Sequence, residues 1–354
     1  MLDRYLRQKA VPEIGIKGQE ALRGASVLMV GCGGLASPAL AYLAGAGVGR
    51  IGLVDGDRVE ITNLHRQILF RENQTGKTKV EAACESLTSL NPEVRLEPHP
   101  VYLSLQNAET LACSYDLLID GTDQYEAKTL LNRLGLSLSK PVVFAGVTAL
   151  DAQIFVGDGR KESPCYQCVY PHPPSSGIRN CEEAGVVGPM VGLAGSIQAL
   201  QVIKILCGIK VPGNSLLCID GRTLEFRNAR IQKNNECPAC GANLTKEATA
   251  DPFVVSLPEV VADPGRFVLF DVREESETRE EQIPGARLLP FSVLTGDADP
   301  LKCLKTLDLP KSATPVFFCK SGIRAQKAAH MLNACQDHGV RYLPNPLHEV
   351  RSRC

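Results

Sequence analysis

Between Ser26 and Val156 the chain alternates short, almost wholly apolar runs with longer segments of helical period. Strands are predicted at Ser26–Val30, Arg50–Val54, Val94–Glu97, Asp116–Ile119, Val142–Ala145 and Gln153–Val156. Helices are predicted at Pro38–Ala46, Lys77–Leu90, Glu126–Ser139 and Pro189–Cys207. Strands apolar at every position belong inside a parallel sheet covered by helices on both faces. The pattern therefore predicts an α/β fold built on a Rossmann-like, doubly wound sheet. A strand pair, Leu216–Asp220 and Leu224–Ile231, follows it. The most hydrophobic stretch, Val186–Gly208, is interrupted by Gln198, Gln201 and Lys204 and reads as a buried helix rather than a membrane span.

Two segments break the alternation. Pro164–Gly185 is rich in Pro, Ser, Gly and Cys and reads as a long mobile loop. Gly241–Asp251 is small and polar and reads as a linker. Beyond it, Phe267–Asp271 and Pro315–Cys319 look like parallel strands of a second, smaller α/β domain. The expected organisation is a first domain over 1–240, a linker over 241–251 and a second domain over 252–354, without internal repeats.

Composition narrows the function classes. A net charge of −1 over 354 residues gives no electrostatic reason to expect a nucleic-acid or membrane partner. Met1–Arg7 alternates charged and apolar residues and holds no secretory h-region, so a cytoplasmic protein is expected. In that setting 14 cysteines point to metal and thiol chemistry rather than to a disulfide framework.

Gly31, Gly33 and Ala36 fit G-x-G-x-x-G/A after a strand and before a helix, and Gly34 extends the turn. Such glycines let backbone approach a phosphate at a helix N-terminus. Asp55 ends the next strand, where a carboxylate can accept from ribose hydroxyls. Alone, this pattern is as consistent with NAD as with ATP. Asn63, Arg66, Gln67 and Lys79 then follow closely, and fixed cations suit a triphosphate. Asp123, in Asp120-Gly121-Thr122-Asp123, ends another strand and could hold Mg²⁺ beside phosphates; otherwise that segment caps the helix after it.

Two C-x-x-C pairs, Cys165/Cys168 and Cys237/Cys240, can together complete a tetrahedral Cys₄ zinc site. A redox pair is the weaker alternative. Cys181, on the loop, has Arg179 nearby to favour its thiolate and is otherwise an incidental thiol. Cys319-Lys320-Ser321-Gly322-Ile323-Arg324 joins a strand to a helix. Inward backbone N–H groups, a helix N-terminus and Arg324 would stabilise an anionic sulfur on Cys319. Arg324 follows one residue sooner than in a cysteine-phosphatase loop, which suits a persulfide better than a phosphate.

In this order, Arg4-Tyr5-x-Arg7-Gln8, Gly31-x-Gly33-Gly34-Leu35, Asp55-x-Asp57, Asn63-Leu64-x-Arg66-Gln67, Gly76-Lys77-x-Lys79 and Thr122-Asp123 closely resemble the MoeB/ThiF family of E1-like adenylyltransferases. Ala36 replaces the usual third glycine and Gln124 the usual Asn. The resemblance implies Mg-ATP held by Asp55 (ribose), by Asn63, Arg66 and Lys79 (phosphates) and by Asp123 (Mg²⁺). It also implies a homodimer in which Arg7 reaches the other subunit's ATP site, and zinc at the four cysteines. In some relatives a cysteine at the position of Cys181 takes part in thioester or disulfide transfer. Phe270-Asp271-Val272-Arg273-Glu274, Ile283-Pro284-Gly285-Ala286 and Cys319–Arg324 resemble a rhodanese domain, in which Cys319 would carry the persulfide and Asp271 and Arg273 would support the site. Its usual closing strand, Gly-Gly turn and Trp are replaced by Tyr342-Leu343-Pro344-Asn345-Pro346-Leu347.

The implied reaction is adenylation of a ubiquitin-like sulfur-carrier protein ending in Gly-Gly, then sulfur transfer from Cys319 to give a thiocarboxylate. A persulfide donor such as a cysteine desulfurase would load Cys319. Two other readings stay open on the sequence: a docking protein with a degenerate rhodanese domain, and a zinc-containing NAD-dependent dehydrogenase.

Overall fold

The strands of the N-terminal two-thirds of the chain assemble into one eight-stranded sheet. In the computed structural model its strands are β1 (Ser26–Val30), β2 (Arg50–Val54), β3 (Arg95–His99), β4 (Leu117–Asp120), β5 (Val142–Thr148), β6 (Asp151–Gly157), β7 (Ser215–Asp220) and β8 (Glu225–Arg230). Their spatial order is β3-β2-β1-β4-β5-β6-β7-β8. The structure describes residues 3–160, 162–172, 185–211, 214–241, 253–263, 265–278, 283, 285–295, 313–319, 322–335 and 339–343. The chain divides into two compact units, Met1–Leu244 and Thr245–Cys354.

The central strands β1, β4 and β5 are buried along almost their whole length because both faces of the sheet are covered there, whereas the edge strand β8 is exposed throughout. On β1, Val27 and Met29 face the helix Ala36–Ala46, packing with Leu40 and Leu43. Leu28 and Val30 face the other way, toward Leu118, Phe144 and Leu131 of the helix Tyr125–Leu138. Each fully buried side chain of this size contributes roughly 1.5–3 kcal/mol relative to exposure. The helix Gly188–Leu206 is long and apolar enough to cross a membrane by length and composition alone. Here Ala194, Ala199 and Val202 are buried, and a Cβ on Gly195 would lie 2.2 Å from the Leu35 carbonyl oxygen, so the helix crosses the chain there closely.

The parallel expectation holds for half of the sheet. β3-β2-β1-β4-β5 run parallel, with Val27 opposite Ile51 on one side and Leu117 on the other. β6 then reverses, and β5-β6-β7-β8 are antiparallel. The reversal is a two-residue turn, Ala149-Leu150, between paired Thr148 and Asp151, with Ala149 at φ +52°. A turn without Gly or Asn at that position carries no hairpin signal. β3 extends to His99 through Pro98, which an edge strand tolerates because it need donate on one side only. Because β2 and β4 flank β1 in parallel, the chain leaves β1 and β4 toward opposite sides and opens a crevice at their carboxyl ends.

The second unit holds four parallel strands in the order β10-β9-β11-β12: β9 (Phe267–Asp271), β10 (Arg287–Leu288), β11 (Thr314–Phe318) and β12 (Arg341–Tyr342). Phe270 and Phe317 meet edge to face in its core, beside Leu332 and Tyr342. The closing strand is therefore present though short. Tyr342 pairs opposite Phe317 and Leu343 donates to the Phe317 carbonyl at 2.9 Å. Positions 344–347 lie outside the described residues.

The expectation of one loop over Pro164–Gly185 is corrected at its start. Tyr166–Val169 is a short helix with Tyr166 and Gln167 buried. Residues 173–184, including Arg179 and Cys181, lie outside the described residues, as do 242–251 of the linker.

Candidate functional site

The crevice is floored by glycine against glycine. Gly31 stands at φ +85°, and a Cβ on it would lie 2.8 Å from the Gly121 carbonyl carbon. The loops after β1 and β4 can touch only because neither carries a side chain. Beside Gly33 lies the Gln67 amide, 3.7 Å from where a Cβ would be, and beside Gly34 lies the Arg66 stem at 3.6 Å. A Cβ on Gly34 would also collide with Val191 at 2.7 Å. The turn thus gathers Gln67, Arg66, Gly121 and Thr122 around the N-terminus of the helix Ala36–Ala46.

Asp55 is fixed by the turn itself. One carboxylate oxygen accepts the Cys32 N–H at 2.7 Å and the other the Asp57 N–H at 2.7 Å. Burial pushes its carboxyl above the ordinary aspartate value, and Lys79 works against that shift. Lys79 opens the helix Lys79–Leu90, which Thr78 caps by accepting the Glu81 N–H. Its ammonium is 3.1 Å from Asp57 Oδ2. Burial works against the Lys79 charge, yet Asp55 and Asp57 outweigh it and raise its pKa above the usual lysine value. A buried ammonium is therefore kept charged at the mouth of the glycine turn.

Asn63 ends a 3₁₀ turn whose carbonyl accepts the Arg66 and Gln67 N–H groups at 3.1 and 2.9 Å. Arg66 donates through Nη1 to the Thr62 carbonyl at 3.2 Å, and its Nε and Nη2 have no hydrogen-bond partner among the described residues. Gln67 is buried, yet its Oε1 has no partner. An orphaned buried amide against a glycine cradle is what a nucleotide-binding surface shows without its ligand. Asp123 is exposed at the carboxyl end of β4, without a hydrogen bond or ion pair among the described residues. It is not the helix cap: the N-cap position is Gln124, and no side chain caps that helix.

Asp120 does something else. It is fully buried, accepts from the Thr122 N–H at 3.1 Å and hydroxyl at 2.7 Å, and pairs with the Lys128 ammonium, which also donates to the Ala145 carbonyl at 2.6 Å. This pair braces the turn that presents Asp123. Lys128 escaped the sequence reading because a helical lysine ordinarily faces solvent. Of the N-terminal set, Tyr5 hydrogen-bonds Glu93 and Asn91, and Gln8 hydrogen-bonds Gln19 and Ala46. Arg7 is exposed and is not brought to this chain's own crevice.

The four cysteines converge. The sulfurs of Cys165, Cys168, Cys237 and Cys240 lie within 4.8 Å of one another, with contacts of 4.0, 3.6 and 3.5 Å. A tetrahedral ion with metal–sulfur bonds of about 2.3 Å sets sulfur–sulfur edges of about 3.8 Å, so the donor set fits zinc. Cys165, and then Lys233 at 3.0 Å, hold the Cys240 thiol down to about 4 against burial. Cys240 and burial push Cys165 the opposite way. Asn132 joins this cluster to the helix Tyr125–Leu138: its Nδ2 donates to the Cys165 sulfur at 3.4 Å and its Oδ1 accepts the Tyr166 N–H at 3.0 Å.

In the second unit Cys319 follows β11 and is wholly buried. Gly322, at φ +81°, leads into the helix Ile323–Cys335, which carries Arg324; Lys320 and Ser321 lie outside the described residues. Both Arg324 Nη groups donate to Glu277, at 2.6 and 2.7 Å. That pairing raises the Arg324 pKa. Arg273 forms a buried ion pair with Asp271 at 2.7 Å. Glu277 carried no signal in the sequence beyond being one of several closely spaced acids.

Residues 5–239 match the ThiF family, and residues 259–351 match the rhodanese-like domain. The sulfur carrier protein adenylyltransferase of Thermus thermophilus is 41% identical, over 71% of this chain and 94% of its own. The adenylyltransferase and sulfurtransferase MOCS3 of Culex quinquefasciatus is 35% identical over 97% of this chain and 84% of its own. The adenylyltransferase and sulfurtransferase uba4 of Pyricularia oryzae is 36% identical over 82% and 70%. Among solved structures, E. coli MccB shares the fold with a TM-score of 0.61 at 22% identity, covering 69% of this chain and 74% of that one. Relatives matching both units along their length decide against the dehydrogenase reading. The chain belongs to the ThiF family, and within it to the adenylyltransferases that carry a rhodanese-like sulfurtransferase domain on the same polypeptide.

Proposed function

We infer that the protein activates the C-terminal carboxylate of a small ubiquitin-like sulfur-carrier protein with ATP and then gives it sulfur from Cys319. The observation that carries this reading is the charged, buried Lys79 beside Asp55 at the mouth of the Gly31–Gly34 turn. The carrier carboxylate attacks the α-phosphorus, the bond to the pyrophosphate oxygen breaks, and an acyl-adenylate forms. Arg66 and Lys79 offset the charge that develops on the phosphates. Asp55 holds the ribose, and Asn63 and Gln67 orient the phosphate chain. Asp123 would hold Mg²⁺, which supplies charge neutralisation on the polyphosphate when bound. Arg7, exposed on this chain, completes the ATP site of a second copy in a homodimer.

The Cys319 persulfide attacks the activated carbonyl and displaces AMP, leaving an acyl disulfide. A thiol attacks the Cys319 sulfur, the sulfur–sulfur bond breaks, and the thiocarboxylate leaves with the electron pair. Cys181 is this chain's candidate for that thiol. The disulfide left behind is reduced by a cytoplasmic thiol, and a cysteine desulfurase reloads Cys319. The Cys₄ set would hold zinc as a staple, with every position filled by sulfur and none open for catalysis.

The test is ATP–pyrophosphate exchange with a panel of Gly-Gly-ending carriers. Exchange that requires one carrier and disappears in Lys79→Ala supports adenylation. Cys319→Ala should keep exchange and lose thiocarboxylate formation. Absence of exchange with every carrier in the panel, with ATP binding intact, would overturn the reading in favour of a docking role.

A further inference from the structure

The Asp57 carboxylate meets Tyr102 and Lys79 through different oxygens. One oxygen accepts the hydroxyl of Tyr102 and the other faces the Lys79 ammonium at 3.1 Å. Tyr102, in the loop after β3, reaches Asp57 because residue 56 is glycine: a Cβ there would lie 2.5–2.8 Å from three atoms of the Tyr102 ring. The arrangement is rigid on the Lys79 side as well, since the Lys79 N–H donates to the Asp57 carbonyl at 2.9 Å. Asp57 therefore binds the same ammonium that the phosphates of ATP must attract.

We propose that Tyr102 is a positioning residue for adenylation: by donating to Asp57 it takes up part of that carboxylate's charge, so that Lys79 is held in place yet able to turn to the phosphates of ATP. This rests on the reading of Lys79 as a phosphate ligand. A hydrogen bond to a carboxylate stabilises its anion and weakens its hold on a second partner. When ATP draws Lys79 away, the Tyr102 hydroxyl remains on Asp57, so the carboxylate keeps a donor. Without the hydroxyl, Asp57 directs more of its charge at Lys79 and competes more strongly with ATP. The cost then falls on ATP binding, equally in the ground and transition states, which raises KM and leaves kcat in place.

The experiment is carrier-dependent ATP–pyrophosphate exchange by the full chain, comparing wild type, Lys79→Ala, Tyr102→Phe and Tyr102→Phe/Asp57→Asn. Phenylalanine keeps the ring packed on Gly56, and thermal unfolding checks that the fold is unchanged. Tyr102→Phe is expected to raise the KM for ATP about tenfold, the size of one hydrogen bond to a charged group, with kcat within a factor of about two. Neutralising the competitor in the double variant is expected to bring KM back toward wild type. An unchanged KM in Tyr102→Phe, a fall in kcat at constant KM, or a double variant worse than the single would each overturn the proposal. If Lys79→Ala abolishes exchange while Tyr102→Phe is indifferent, this inference alone fails. If wild type shows no exchange with any carrier, the adenylation reading fails and takes this one with it.

Discussion

The Lys128 ammonium and the Asp120 carboxylate pair inside the first unit, beneath the turn that presents Asp123; Asp120 is fully shielded and Lys128 is 7% exposed. Burial pushes the Asp120 carboxyl up, and Lys128 is the chief influence opposing it. Removing the lysine strands a buried carboxylate. Lys128→Met is expected to destabilise the first unit by about 3–5 kcal/mol, measured by denaturant unfolding. Lys128→Met with Asp120→Asn should lose clearly less, because no unpaired charge remains. Equal losses in the single and double variants would mean that packing, not the ion pair, is what the lysine provides.

Gly31 is expected to resist every substitution. Alanine would meet Gly121 at 2.8 Å in a backbone conformation of φ +85°, so either the turn opens or the two loops separate. The backbone strain alone costs of order 1–3 kcal/mol, and the displaced turn no longer presents its N–H groups. Gly31→Ala should therefore lose binding of a fluorescent ATP analogue, whereas Gly45→Ala, where an added Cβ meets nothing within 4 Å, should keep it. Retained binding in Gly31→Ala would mean that the turn does not touch the nucleotide.

What the sequence made legible here is what a short segment specifies by itself. The glycine turn, Asp55 at a strand end and the two C-x-x-C pairs each carry their chemistry in their own spacing. The reversal at Ala149 carried no turn residue, so the antiparallel half of the sheet was invisible as such, although its strands were placed. Lys128, Tyr102, Asn132 and Glu277 were missed for one common reason. Each acts through a partner brought to it by the fold, as Tyr102 is brought to Asp57 across the glycine at 56. Taken alone, each looks like an ordinary helix or loop residue.

Acid should loosen the second unit through Glu277. Its carboxyl is held below the usual glutamate range, first by the Arg324 hydrogen bonds, against burial. A carboxyl depressed by folding contributes stability that is fully present above its unfolded value, about 4.3, and is lost as pH falls through the folded value. The protection factors of amides in peptides covering β9 and β11, corrected for the pH dependence of intrinsic exchange, are therefore expected to fall as the pH drops through that range. Glu277→Gln should show lower protection factors than wild type at neutral pH and a smaller fall on acidification. Parallel pH profiles for the two proteins would show that the pair does not contribute.

Zinc content tests the cysteine cluster. Cys165 and Cys237 sit 72 positions apart in the chain yet 3.6 Å apart in space, so an ion there closes a long loop and its binding energy is folding energy. The purified chain is expected to hold one zinc, resistant to mild chelation. Cys237→Ser should lose it and unfold at lower temperature. The short helix at Tyr166 should then become more susceptible to protease, because only Asn132, through the Tyr166 N–H at 3.0 Å, and the packing of Tyr166 on Phe144 would be left to hold it. Asn132→Ala in the zinc-loaded protein separates the two supports: faster zinc release to a chromogenic chelator is expected, with the ion still bound at the outset. A metal-free protein with unchanged unfolding temperature, or four titratable thiols with no bound metal, would leave a redox pair as the better account of these cysteines.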